Sequence, residues 1–187
     1  LTAESFMTTV FHDMTVYFEK TFQRKPISQT TPMGCVPAAV AMALTAAHGE
    51  VMGKNAKQLL DPAASRGMHF DDAARLLAEG LAIDSRVANG TELGTLLREH
   101  SAGGWIVLEV NPSVWYRGVG ASRHAVFVSS CSFLGPEGNS LPEGFKPTFI
   151  PPLQIVDPIE ESPSARLRIF EDVERAYNAG EKTALIV

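Results

Sequence analysis

The chain has 187 residues, of which 45% are hydrophobic and 20% are charged, and its formal net charge is −5. This length suits a single domain, and the composition is typical of soluble globular proteins rather than disordered or fibrous ones. The acidic balance, with no dense block of Lys and Arg, gives no electrostatic footprint for nucleic acid or an anionic membrane. We therefore expect one domain over residues 1–187 and no nucleic-acid partner.

Membrane and disulfide-rich classes are not expected either. The most apolar stretch, residues 36–47, has about a dozen residues, whereas a membrane span needs roughly 20. Residues 1–4 show no feature of a signal peptide, although the chain begins without Met, so a segment removed upstream stays open. Two cysteines make no disulfide framework and have no zinc-ligand spacing, and a Cys35–Cys131 disulfide is the structural alternative.

The first third of the chain is predicted to be helical. Apolar residues at helical spacing predict an amphipathic helix over residues 4–20, and a Pro- and Ser/Thr-rich loop follows over residues 21–33. A run of Ala, Leu and Met then predicts a buried helix that begins at or just after Cys35, has Pro37 in its first turn and ends near Gly49. A cysteine therefore stands at the head of the most apolar predicted helix.

Shorter helices and then strands are predicted for the remainder. The helices cover residues 56–60, 70–79 and 91–99. Beyond residue 104, β-branched and aromatic residues predict strands at 105–110, 124–129, 153–157 and 183–187, with a helix at 169–177 and an irregular Pro- and Gly-rich segment at 134–152. A mainly helical part, residues 23–104, followed by a mainly β part, residues 105–187, indicates an α+β fold.

Four polar residues have the chemistry of nucleophilic catalysis. Cys35 is predicted at a helix N-terminus, where the dipole and unpaired amides lower the pKa of a thiol. Gln29, six residues earlier, could donate to an oxyanion together with the Cys35 amide. His124, at the head of a predicted strand, is the best placed of the five histidines to act as a base, and Asp157, at the end of another strand, could orient its imidazole.

Each of these residues also has a structural interpretation. Cys35 taken alone fits an inert core residue, and His124 fits a hydrogen-bonded structural histidine. Asp157, which precedes a proline, fits a turn former, and Gln29 fits a solvated loop residue. Cys131 is interpreted as a structural residue, and three aromatic residues are interpreted as core or groove wall: Trp105, Trp115 and Tyr116.

The catalytic interpretation gains from the order of the motifs. Gln29 is followed after five residues by Cys35-Val-Pro-Ala-Ala, then by His124-Ala-Val, and then by Val-Asp157-Pro. This pattern resembles papain-like peptidases of the bacterial bacteriocin-processing, double-glycine type and their stand-alone relatives. In that family a Gln precedes the nucleophilic Cys, a Cys-Gly-Pro-Ala stretch opens the central helix, a His-Ala-Val strand supplies the base, and an Asp-Pro ends the next strand.

The resemblance covers residues 29–187 and leaves the N-terminal helix, residues 1–22, outside it. It implies a papain-like α+β fold whose helical part carries the nucleophile at the N-terminus of a central helix and packs on an antiparallel sheet. Two features depart from the family pattern. Val36 stands where the family has Gly and narrows the space beside the nucleophile, and the segment 134–152 separates the His strand from the Asp strand.

The function implied by the resemblance is that of a thiol protease, a hydrolase that cleaves an amide bond in a peptide or protein. A Cys35-His124-Asp157 triad with Gln29 at the oxyanion requires no metal or cofactor. Papain-like folds also serve as acyltransferases, transpeptidases and deamidase-type toxins or effectors, and a catalytically silent binding module would use the same cleft. These alternatives stay open at the level of sequence, as does the oligomeric state.

Overall fold

The computed structural model of the chain describes residues 27–101, 104–116, 123–130, 153–159, 167–168 and 170–187. The helix predicted at residues 4–20, the segment 134–152 and Cys131 lie outside the described residues. The described helices are α1 (Cys35–His48), α2 (Glu50–Leu60), α3 (Phe70–Leu81), α4 (Leu93–Ser101) and α5 (Phe170–Asn178). The described strands are β1 (Arg86–Asn89), β2 (Ile106–Val110), β3 (His124–Ser130), β4 (Leu153–Val156), β5 (Leu167–Arg168) and β6 (Thr183–Ile186).

The strands form one antiparallel sheet in the order β1-β6-β2-β3-β4-β5. Strand β3 lies between β2 and β4, with Val110 opposite His124 and Val156 opposite Phe127. In an antiparallel sheet this register brings the start of β3 to the same end as the ends of β2 and β4. Residues that follow β2, begin β3 and follow β4 therefore meet at one end of the sheet.

Helix α1 is the centre of the core on one face of the sheet. Every residue from 36 to 45 is buried, as expected for a helix that is apolar all round. It packs with α2 and α3 against side chains that alternate along the strands, namely Val107, Ala125, Phe127, Val156 and Leu185. The N-terminus of α1 is thereby held against the sheet near the start of β3.

The opposite face of the sheet is covered by α4 and α5. The intervening strand residues, among them Ile106, Leu108, Val126 and Val128, pack there with side chains of these two helices. Because both faces are covered, β2 is buried at every position. Helices thus pack on both faces of a single antiparallel sheet, and the predicted α+β class is confirmed.

Three features differ from the sequence prediction. Strands β1 and β5 are not predicted, because β1, Arg-Val-Ala-Asn, is short and polar and β5, Leu-Arg, has two residues, so neither shows a clear period. Helix α2 begins six residues before the predicted residue 56. Its Gly53, normally unfavourable in a helix, is required by close packing, since a Cβ there would lie 1.9 Å from Thr45 Oγ1 and 2.6 Å from the Ala41 carbonyl oxygen.

No helix within the described residues is long and apolar enough to span a membrane.

Candidate active site

Cys35 is the first residue of α1. The preceding turn is closed by the Gly34 N–H, which donates to the Thr31 carbonyl at 3.0 Å. A Cβ at Gly34 would lie 3.3 Å from Thr31, so the small residue lets this turn pack closely before the helix. Cys35 is a free thiol, so the alternative of a Cys35–Cys131 disulfide is wrong. The thiol therefore lies at the positive end of the helix dipole, where a negative charge is favoured.

His124 and Asp157 are joined by a buried hydrogen bond. His124 Nε2 lies 2.8 Å from Asp157 Oδ1, and the two residues are 5% and 2% exposed. His124 begins β3 and Asp157 directly follows β4, so the antiparallel register described above accounts for their contact. Asp157 Oδ1 also accepts the Ile159 N–H at 2.9 Å. The carboxylate thus binds one ring nitrogen of His124 and leaves Nδ1 for another partner.

That partner is the Cys35 thiol. The Cys35 side chain is hydrogen-bonded to the His124 side chain and to the backbone N–H groups of Ala125 and Val36. Three of the four predicted site residues, Cys35, His124 and Asp157, are therefore connected in that order. The contact joins the helical layer to the sheet, because the sulfur comes from α1 and the ring from β3.

The ionisation of the three groups is coupled. Burial opposes a charge on each of them, but their mutual hydrogen bonds and charges outweigh that effect. The pKa of His124 is raised from 6.5 to about 9, chiefly through Asp157 and Cys35. The pKa of the Cys35 thiol and that of the Asp157 carboxyl are lowered. At neutral pH this arrangement favours a thiolate beside an imidazolium.

Gln29 lies in the segment before the Cys35 turn and lines the same cleft as Cys35 and His124. Its backbone N–H donates to the Pro158 carbonyl at 3.4 Å, which ties this segment to the residue after Asp157. Its side-chain Nε2 approaches the Pro32 carbonyl only at 3.5 Å, the long limit of a hydrogen bond. The amide therefore keeps donor capacity for another oxygen in the cleft.

The cleft around the thiol has a volume of about 750 Å³. One wall comes from residues 29–36 and the loop at 66–70, and the other from the sheet side, including Glu109, Tyr116, Arg123 and Ala125. Val36, the departure from the family pattern, is 6% exposed; it lines the cleft and also packs in the core. The residues that line the cleft therefore come from both the helical layer and the sheet.

Two charged residues in this cleft were not identified from the sequence. Glu109 is 5% exposed, and its Oε2 accepts from Arg123 Nη2. Arg123 also approaches Glu181 at 3.5 Å. The sequence does contain one indication of this pair, since Glu109 stands alone in an apolar strand, between Val-Leu and Val. A charge buried there requires a partner of opposite charge.

The contacts of Tyr116 and Arg168 beside the candidate triad are also not predicted by the sequence. The Tyr116 hydroxyl donates to Asp157 Oδ2 at 2.8 Å and accepts from Arg168 Nη2 at 3.2 Å. The interpretation of Tyr116 as part of the core or groove wall is therefore incomplete, since its ring lines the cleft while its hydroxyl contacts the carboxylate. The sequence held no motif for either residue.

Across the described segments of the chain, no group of three or more His, Cys, Asp or Glu side chains could hold a metal ion.

The comparisons with known proteins bear on the fold. No family model matches the chain, and no curated protein matches it in sequence. Among solved structures, it is similar to a crystal structure from Bacillus anthracis described provisionally as a C39-like peptidase, with a TM-score of 0.57 and 16% sequence identity. The superposition covers 89% of this chain and 95% of that one. The chain thus has the α+β, papain-like fold of a C39-like cysteine peptidase.

Proposed function

We propose that the protein is a thiol-dependent peptidase in which Cys35 is the nucleophile, His124 the general base and acid, and Asp157 the orienting carboxylate. The observation that carries this proposal is the continuous hydrogen-bonded series from the Cys35 thiol through the His124 ring to Asp157. A structural cysteine has no need of a buried, charged imidazole, whereas a nucleophilic thiol needs a base held by a third group.

The reaction follows from these roles. The Cys35 thiolate attacks the carbonyl carbon of an amide, and the resulting oxyanion is held by the Cys35 N–H and by Gln29 Nε2. Protonated His124 then gives its Nδ1 proton to the leaving nitrogen as the C–N bond breaks, which leaves a thioester on Cys35. Neutral His124 next takes a proton from water, the hydroxide oxygen attacks the thioester, and the acid leaves as the thiolate is restored.

The substrate class follows from the cleft. An open groove of about 750 Å³ with walls from both layers suits a peptide segment of several residues. Val36 lines this groove next to the nucleophile. We therefore infer a peptide or protein substrate.

The proposal is tested with a peptide library read by mass spectrometry. We expect the wild-type protein to release fragments and Cys35→Ala to release none, while Cys131→Ala, the matched loss of the other thiol, retains cleavage. Wild-type protein that leaves every peptide intact, or full cleavage by Cys35→Ala, would contradict the proposal. A parallel incubation with an added amine separates hydrolysis from acyl transfer, since transfer gives amide adducts of the fragments.

A further inference from the structure

Tyr116 is held firmly in place by the turn that follows β2. Asn111 starts this turn, and its Oδ1 accepts from the Ser113 N–H at 3.0 Å, while the Tyr116 N–H donates to the Pro112 carbonyl at 2.8 Å. The neighbouring Trp115 donates its Nε1 to the Asp172 carbonyl of α5 at 3.3 Å. Hydrogen bonds within the turn and one to helix α5, on the opposite face of the sheet, therefore stabilise the position of this turn.

The polarity of the contacts around the Tyr116 hydroxyl is fixed by chemistry. A guanidinium can only donate, and an ionised carboxylate can only accept. The Arg168 Nη2–H therefore donates to the Tyr116 oxygen at 3.2 Å, and the single phenolic proton points to Asp157 Oδ2 at 2.8 Å. Asp157 therefore accepts a hydrogen bond from Tyr116 on Oδ2 and is hydrogen-bonded to His124 through Oδ1. These two hydrogen bonds together fix the orientation of the carboxylate.

Arg168 is itself oriented by an aromatic ring. Its Cζ lies 4.2 Å from the centroid of the Trp115 ring, well inside the range of a cation–π contact. It is presented by β5, the strand that pairs with the strand preceding Asp157, with Arg168 opposite Leu153. The guanidinium is thus built into the sheet edge beside the candidate triad, and it strengthens Tyr116 as a donor by polarising the hydroxyl.

We propose that Tyr116, supported by Arg168, is a positioning residue that keeps Asp157 ionised and directed at His124; this inference rests on the proposed function. The groups that face Asp157 are His124 from β3, Tyr116 from the turn after β2, and the Ile159 N–H. Cys35 from α1 faces His124 from the other side, and Arg168 faces Tyr116. Arg123 and Glu109 pair with each other in the adjacent cleft and are retained in every variant below.

The expected effect has a definite sign. Donors to a carboxylate favour its charged form, so loss of the Tyr116 hydroxyl raises the pH at which Asp157 becomes protonated. Once Asp157 is neutral, the His124 ring is no longer held towards the thiol, so the hydrogen bond that favours the Cys35 thiolate weakens and the pKa of the thiol rises. Loss of one hydrogen bond to a charged carboxylate raises the pKa of that carboxyl by about one to two units. Water that enters from the cleft can donate a hydrogen bond in place of the lost hydroxyl and so reduces this shift. We therefore expect a shift of about one unit.

The experiment measures the rate of Cys35 alkylation by iodoacetamide between pH 3 and pH 8, by peptide mapping, in the wild type and in variants. In Tyr116→Phe the acid limb of the rate moves about one pH unit upward, which is about a tenfold slower reaction on the limb. Arg168→Met moves the limb in the same direction by a smaller amount, and Arg168→Lys, which keeps the charge, restores part of the difference. Tyr177→Phe is the matched control, because its hydroxyl donates to the Thr91 carbonyl away from the site; its acid limb stays at the wild-type position.

The outcomes separate this inference from the function it rests on. A reactive wild-type thiol whose acid limb coincides with those of Tyr116→Phe and Arg168→Met would overturn the inference and leave the peptidase proposal intact. A wild-type thiol with no excess reactivity at acid pH would overturn both. An equal shift in Tyr177→Phe would show that general loosening, rather than the contact with Asp157, moves the limb, and would also overturn the inference.

Discussion

Replacement of Asp157 by Asn removes the charge on the carboxylate with little change in shape. The pKa of His124 is raised from 6.5 to about 9, and Asp157 and Cys35 are the two groups responsible for the rise. Without the carboxylate only the thiolate remains, so we expect the pKa of His124 to fall by about two units, equivalent to about 3 kcal/mol at 1.36 kcal/mol per unit. At pH 7 the imidazolium fraction would then drop from about 99% to about half.

The assay is an NMR titration of the His124 ring protons, assigned by their absence in His124→Gln. Asp61→Asn is the charge-matched control, since Asp61 pairs with Lys57 and makes no contribution to His124. We expect its His124 titration to follow that of the wild type. A His124 pKa in Asp157→Asn within about 0.3 units of the wild-type value would refute the coupling on which the proposed mechanism depends.

Three further predictions concern activity and stability. Peptide cleavage should decline above about pH 9, because the imidazolium that protonates the leaving group is then lost; a limb near pH 7 in the pH profile of kcat/KM would contradict this. Gly53→Ala should destabilise the fold by about 2–3 kcal/mol in urea unfolding, because a Cβ would collide with Thr45, and Thr45→Ala should recover only part of that loss. Arg123→Met should lower the free energy of unfolding by about 2 kcal/mol, because it leaves the buried Glu109 unpaired. The double variant Arg123→Met/Glu109→Gln should recover most of that stability. An equal loss in the single and double variants would contradict a stabilising role of the pair.

The sequence predicts those parts of the structure that depend on local pattern. The Ala-rich run after Cys35 predicts α1 because a helix of that composition has no polar face and must be buried. His124 and Asp157 each stand where a strand pattern starts or stops, so an antiparallel pairing of the two strands brings them together. His124 and Asp157 could thus be paired without coordinates, and the order of the motifs added Cys35 to them.

Contacts between distant residues account for what the sequence does not predict. The Tyr116 hydroxyl meets Asp157 across 41 residues and Arg168 across 52, and no local period marks such a contact. Helix α2 shows the same difficulty, because Gly53 argues against a helix until the close approach of Thr45 is known. Local propensity is overridden at such positions by packing that only the folded chain shows.

The thiolate at Cys35 is tested most directly by its alkylation rate at pH 6 in the folded protein compared with the same residue in urea-unfolded protein. Burial alone would make the folded thiol react more slowly, whereas ionisation through His124 makes it react faster, since the thiolate is the nucleophile. We predict that the folded protein reacts at least tenfold faster. A folded rate equal to or below the unfolded rate would contradict the assignment of Cys35 as an activated nucleophile.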